Sequence, residues 1–197
     1  MLRNALLSVV LCSVSAFANA SECALNLNAQ APITVVGSFS NMRYTEEHAY
    51  GYTVKLWRTA DCLFGFFLSS DSVAGDTPTG LIENIKYDEK TGAISFTARL
   101  TTGVVPSSTT SSSSYVPSKD VYEFTGVLKK DSLRGVVLYE LTNFPTVKKT
   151  PAVRLRPSEN VVLKLSSENS KGMQYLSIYS QWELHAKEIL KRRGPKW

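Results

Sequence analysis

The chain is poor in the residues that most metal and nucleophile chemistry draws on. It has 197 residues, with two histidines and three cysteines. A structural zinc site needs four Cys or His ligands, and once two cysteines pair, His48 and His185 cannot supply them. No P-loop, dinucleotide fingerprint, nucleophile elbow or metalloprotease helix motif occurs, so no catalytic residue, metal or cofactor is assigned. Beyond residue 20 no run approaches the roughly 18 apolar residues of a transmembrane helix. Nucleic acid is not an expected partner either, because no motif for binding it is present.

What the chain does carry begins at its first residue. In MLRNALLSVVLCSVSAFANA, Arg3 supplies a short positive region and Ala5 to Ala18 an apolar stretch too short to span a bilayer. Ala18-Asn19-Ala20 then gives the small-x-small pattern of a cleavage site. Residues 1–20 read as a secretory signal peptide, which places the mature protein in a periplasm or in the external medium. Residues 21–165 are expected to form the β domain, with residues 166–197 a helical segment of that same domain.

Cys12 leaves with the signal, so Cys23 and Cys62 remain. Two cysteines in an oxidising compartment usually pair, and a bridge over that loop is worth about 4 kcal/mol in the chain-entropy model. The alternatives are two buried thiols or a redox pair, although a redox pair normally has CxxC spacing. Charge is unevenly spread. Between Ser21 and Pro145 thirteen acidic residues outnumber ten basic ones, whereas from Thr146 onward eleven basic residues face four acidic ones. The basic C-terminal quarter is either a solvated face or a weak peripheral contact for anionic lipid headgroups.

Most of the mature chain reads as short strands divided by turns. Ala93 to Leu100 is the clearest, with Ile94, Phe96, Ala98 and Leu100 alternating with Ser95, Thr97 and Arg99. The turn ending at Gly92 joins it to a partner strand, Gly80 to Tyr87. Asp120–Leu128 and Leu133–Leu141 form a second hairpin. His48–Arg58 and Cys62–Ser69 form a third around Thr59-Ala60-Asp61. Ile33–Phe39 precedes them, and Val153–Leu155 supplies a last short strand. About eight strands in antiparallel order predict an all-β fold, an up-and-down barrel that removes both exposed edges.

Two stretches break the pattern. The Ser/Thr-rich segment at 105–118 lacks the apolar surface to order itself and is expected to be a flexible loop, either a lid or an insertion. At the C-terminus the period becomes helical. Ser180 and Glu183 read as a capping box, with Tyr179 and Leu184 as a hydrophobic staple. Trp182, Ala186, Ile189 and Leu190 mark an apolar face, and Gly194-Pro195 a stop. The helix is predicted over Gln181–Arg193, packed outside the barrel against Val136 and Leu138. His185 reads as a surface or packing residue.

Three sets of residues compete for function. Tyr50, Tyr52, Phe64, Phe66, Phe96, Tyr122, Phe124 and Tyr139 all fall on faces expected to point inward. Eight-stranded barrels either fill with such side chains or keep room for one small ligand. Glu46 and His48, with Asp76, form a polar cluster placed for a barrel mouth, where a carboxylate beside an imidazole suits acid–base work. A polar turn before a strand is the simpler explanation of Glu46-Glu47-His48. The basic terminal helix is the third.

The secretory signal, the meander of eight strands and the terminal helix together resemble the lipocalin-like (calycin) barrels. That family carries Gly-x-Trp on its first strand, where this chain has Gly37-Ser38-Phe39, and a basic residue over the ring, for which Arg154 or Arg156 stands. The resemblance implies binding of a small, mostly apolar molecule. The leading expectation is thus an exported, non-catalytic β-barrel that binds a small hydrophobic or amphipathic ligand. The alternatives are an envelope interaction or structural protein using its terminal helix, and a hydrolase or isomerase centred on Glu46, His48 and Asp76.

Overall fold

Eight strands pair in chain order and then close on themselves. In the computed structural model residues 27–60, 62–73, 77–106, 115–117, 119–140 and 158–191 are described. The staves of the barrel are β1 (Thr34–Ser40), β3 (His48–Arg58), β4 (Leu63–Val73), β5 (Thr79–Tyr87), β6 (Ala93–Leu100), β9 (Val121–Leu128), β10 (Ser132–Glu140) and β11 (Ser158–Leu165). Each runs antiparallel to the next, and β1 pairs with both β3 and β11, so no edge is left unpaired. A two-residue strand, β2 (Arg43–Tyr44), extends the mouth of β3. The expected up-and-down barrel with a terminal helix is the fold observed.

Alternation explains most of this. On β6, Ile94, Phe96, Ala98 and Leu100 are buried in the barrel while Ser95, Thr97 and Arg99 face outward. Where two faces are apolar, both are covered. Leu63 and Phe67 point into the barrel, whereas Phe64, Phe66 and Leu68 pack in a second cluster outside it.

The interior needs glycine at one pair. Gly126 and Gly135 are cross-strand partners facing inward. A Cβ at Gly126 would lie 2.1 Å from the Arg134 carbonyl oxygen, and one at Gly135 would lie 2.2 Å from that of Thr125. Each would also meet the Phe124 ring tip at 2.8 Å, so the ring occupies the space that two side chains would take.

Three expectations are corrected. The eighth stave is β11, carried by the alternating Val161 and Leu163; Val153–Leu155, like Arg154 and Arg156, lies outside the described residues. The Ser/Thr-rich stretch is not wholly loop: β7 (Val104–Pro106) and β8 (Tyr115–Pro117) pair at its two ends, with Val105 in register with Val116.

The helix is the third. It runs over Tyr179–Leu190 (α2) and begins without a side-chain cap. Its first N–H groups, those of Tyr179 and Ser180, donate instead to the carbonyls of Ala31 and Ala29. The segment before β1 thus caps the helix, and the Ser180–Glu183 box is not needed. Leu184 is no staple, being 63% exposed. Nor does α2 reach Val136 and Leu138. Trp182 and Ala186 bury against Trp57, Phe64 and Phe66 on the outer face of β3 and β4. A short helix, α1 (Ser167–Lys171), lies along β1, where the Ser170 hydroxyl accepts from the Ser38 N–H at 3.0 Å.

Candidate functional site

Five of the eight aromatic residues expected inside are inside. Tyr139, Tyr122, Phe96 and Phe124 form a column down the barrel, joined by Tyr52 and by Phe67. Ring centroids are 5.0 Å apart for Phe96–Phe124 and for Phe67–Tyr122, and 6.0 Å apart for Tyr52–Tyr122 and Tyr122–Tyr139. Tyr122 and Tyr139 are cross-strand partners beside the ends of β9 and β10, and the Tyr52 ring lies next to Tyr122. Two of the hydroxyls find partners within the barrel: Tyr52 donates to Glu159 Oε2 at 2.9 Å, and Ser69 donates to Tyr122 at 3.0 Å. Burial, reinforced by the Glu159 carboxylate, pushes the Tyr52 phenol well above its ordinary range. Burial does the same for Tyr122. The column is the core of the fold.

The other three lie elsewhere. Phe64 and Phe66 face outward beneath α2, with Phe64–Trp182 centroids at 4.6 Å and Phe66–Trp182 at 5.6 Å. Tyr50 is 42% exposed and stacks on His48, on the stretch of β3 that pairs with β2 rather than with β1. The acid–base cluster is mostly turn. Glu46 and Glu47 are exposed, and the Thr45–His48 turn is held by its own backbone and by the Thr45 hydroxyl. Asp76 lies outside the described residues, as does Cys23. Among the described residues no three His, Cys, Asp or Glu side chains gather as a metal site would require. No helix among them is long and apolar enough to cross a membrane.

The candidate site lies outside the barrel. Between α1, α2 and the outer face of β3–β5 is a groove of about 330 Å³. Trp57, Phe66 and Leu68 form one wall, and Met173 and Ile189 face them from the helical side. Lys55 stands beside Phe66, its cross-strand partner, with its stem half-buried. Tyr175 and His185 close the outer rim, the phenol 3.0 Å from His185 Nδ1. Burial pulls the Lys55 ammonium below its ordinary value. Burial, then the nearby Lys55 charge, does likewise for His185. A half-hydrocarbon, half-polar cleft of this size can seat a small amphipathic molecule.

Of the groove's walls, only Phe66 stood among the expected ligand residues. The missed signal was in β3 and β4. Trp57 sits on the face of β3 opposite Tyr52, Val54 and Leu56, and Leu63-Phe64-Gly65-Phe66-Phe67-Leu68 is apolar without alternation. Such a run belongs to a strand covered on both faces, so it announced a second layer. No protein-family model, curated protein or solved structure matches the chain.

Proposed function

We propose that the protein is an exported, barrel-based binder of a small hydrophobic or amphipathic molecule, held in the groove between barrel and C-terminal helices. The observation that carries this reading is the groove itself. The barrel interior is occupied by its own rings, whereas Trp57, Phe66, Leu68, Met173 and Ile189 border open volume. Drug-sized pockets begin at roughly 300 Å³, so the groove takes one short chain or ring system. No catalytic step is assigned to it.

The secretory signal at residues 1–20 and a Cys23–Cys62 bridge belong to the same proposal. The bridge would tether the chain ahead of β1 to the turn before β4. A peptide map under non-reducing conditions should hold the two cysteine peptides together. Recovery of two separately alkylated peptides would remove the bridge from the proposal.

For the binding function, native mass spectrometry of the full chain recovered from its export compartment should show a co-purified small molecule. Ile189→Trp fills the groove from the helical side and should abolish that adduct while the circular dichroism spectrum is unchanged. An adduct that persists in the folded variant places the ligand elsewhere.

A further inference from the structure

The groove's polar end holds a cation that is unpaired among the described residues. Lys55 Nζ has no hydrogen-bond or ion-pair partner among the described residues, although its side chain is half-buried against Phe66. Burying a cation without a partner is costly, and a surface lysine would ordinarily turn out to water. Glu168, the one carboxylate on the groove, is exposed on α1 and forms no ion pair with Lys55. A second donor nearby is also unanswered: the indole N–H of Trp57, on the groove's floor, is buried with no acceptor among the described residues.

A hydrocarbon wall beside an uncompensated cation describes the complement of one molecular class. Resting on the groove reading above, the geometry points to a single-chain anionic amphiphile as the ligand, its hydrocarbon body against Trp57, Phe66, Met173 and Ile189 and its anionic head on Lys55 Nζ. The head is a carboxylate or another compact monoanion, since an ammonium recognises charge rather than a planar bidentate shape. The Tyr175–His185 pair stands at the rim above that head. The Tyr175 hydroxyl is bonded to His185 Nδ1 there, and Lys55 is the cation assigned to the head.

The test separates the head from the body. Octanoate and 1-octanol are titrated into the full chain, with tryptophan fluorescence as the readout, because Trp57 lines the groove. A charge-assisted contact at the head should make octanoate bind about tenfold tighter than the alcohol. Lys55→Met, which keeps the stem and removes the charge, should erase that preference and leave octanol affinity within about twofold. Lys55→Arg should restore it. An octanoate preference untouched by Lys55→Met, or its absence in the native chain while octanol still binds, overturns the anionic head and leaves the groove reading standing. If neither probe binds the native chain, and Ile189→Trp gives the same flat titration, both readings fall. A melting temperature for each variant confirms that the comparison is between folded proteins.

Discussion

Two aromatic clusters share the sheet of β3 and β4, one on each face, and they are finished to different degrees. Inside, Tyr52 and Tyr122 have partners for their hydroxyls, and the rings stack from Tyr139 down to Phe124. Outside, Trp57 and Trp182 meet edge to face at 6.3 Å, yet both indole N–H groups are buried without an acceptor among the described residues. Volume of about 330 Å³ lies open beside Trp57. A core that serves only the fold gains by closing every gap. The outer layer leaves donors unpaired among the described residues and space unfilled, and the proposed binding rests on that difference.

The largest effects should come from breaking the inner cluster. Phe124→Ala removes the ring that fills the space over Gly126 and Gly135 and should cost about 4 kcal/mol. Gly135→Val should cost at least as much, since no rotamer avoids the Thr125 carbonyl. Urea titration should show both as lowered midpoints of one cooperative transition. Separate transitions for barrel and helix would mean that the inner column does not govern the whole domain.

Next, Trp182→Ala should cost about 3 kcal/mol but locally. Amide exchange should accelerate over 179–190 and in residues 29–33, which cap the helix, while β6, β9 and β10 stay protected. Uniform loss of protection would erase the distinction between the two clusters.

Smaller effects should follow the hydroxyls. Tyr52→Phe should cost about 1 kcal/mol by releasing the Glu159 hydrogen bond. Because the folded phenol titrates above its ordinary value of 10.0, it contributes stability that is fully present below pH 10 and is lost as pH rises beyond that. The native protein should therefore weaken in alkali, and the Tyr52→Phe/Tyr122→Phe variant should weaken less steeply. Equal slopes would show that these phenols titrate alike in both states.

The smallest effect lies far from either cluster, in the β5–β6 turn. The Asp88 carboxylate accepts from the Thr91 hydroxyl at 2.8 Å and the Lys90 N–H at 2.9 Å, and these bonds hold its pKa below the ordinary 3.8. Its contribution is present above that value and lost in acid. Asp88→Asn should flatten the acid limb of the stability curve, lowering stability slightly at pH 7 and leaving it nearly unchanged at low pH, where the carboxylate is protonated in both states.

The hairpins were legible because their period is two. Ile94, Phe96, Ala98 and Leu100 could bury only one face, and Tyr122 with Phe124 repeated that logic across the ladder. Where local pattern competed with distant chain, sequence reasoning chose wrongly. Ser180 and Glu183 satisfy the spacing of a capping box, yet two carbonyls from residues 29 and 31 reach the helix first. Phe64 and Phe66 satisfy the period of an inward face, yet Leu63 and Phe67 satisfy the opposite one, and four residues of one strand cannot say which face is inside.

By itself, then, the sequence determined seven of the eight staves, their antiparallel order and the existence of a terminal amphipathic helix, because each depends on neighbours a few residues apart. Only the tertiary structure decided which aromatic rings are core and which are wall. Lys55, Met173 and Ile189 are brought together by closure of the barrel and by docking of the helix onto Trp57 and Phe64. No periodicity records that meeting, since residues more than a hundred positions apart share the groove only after the chain has folded.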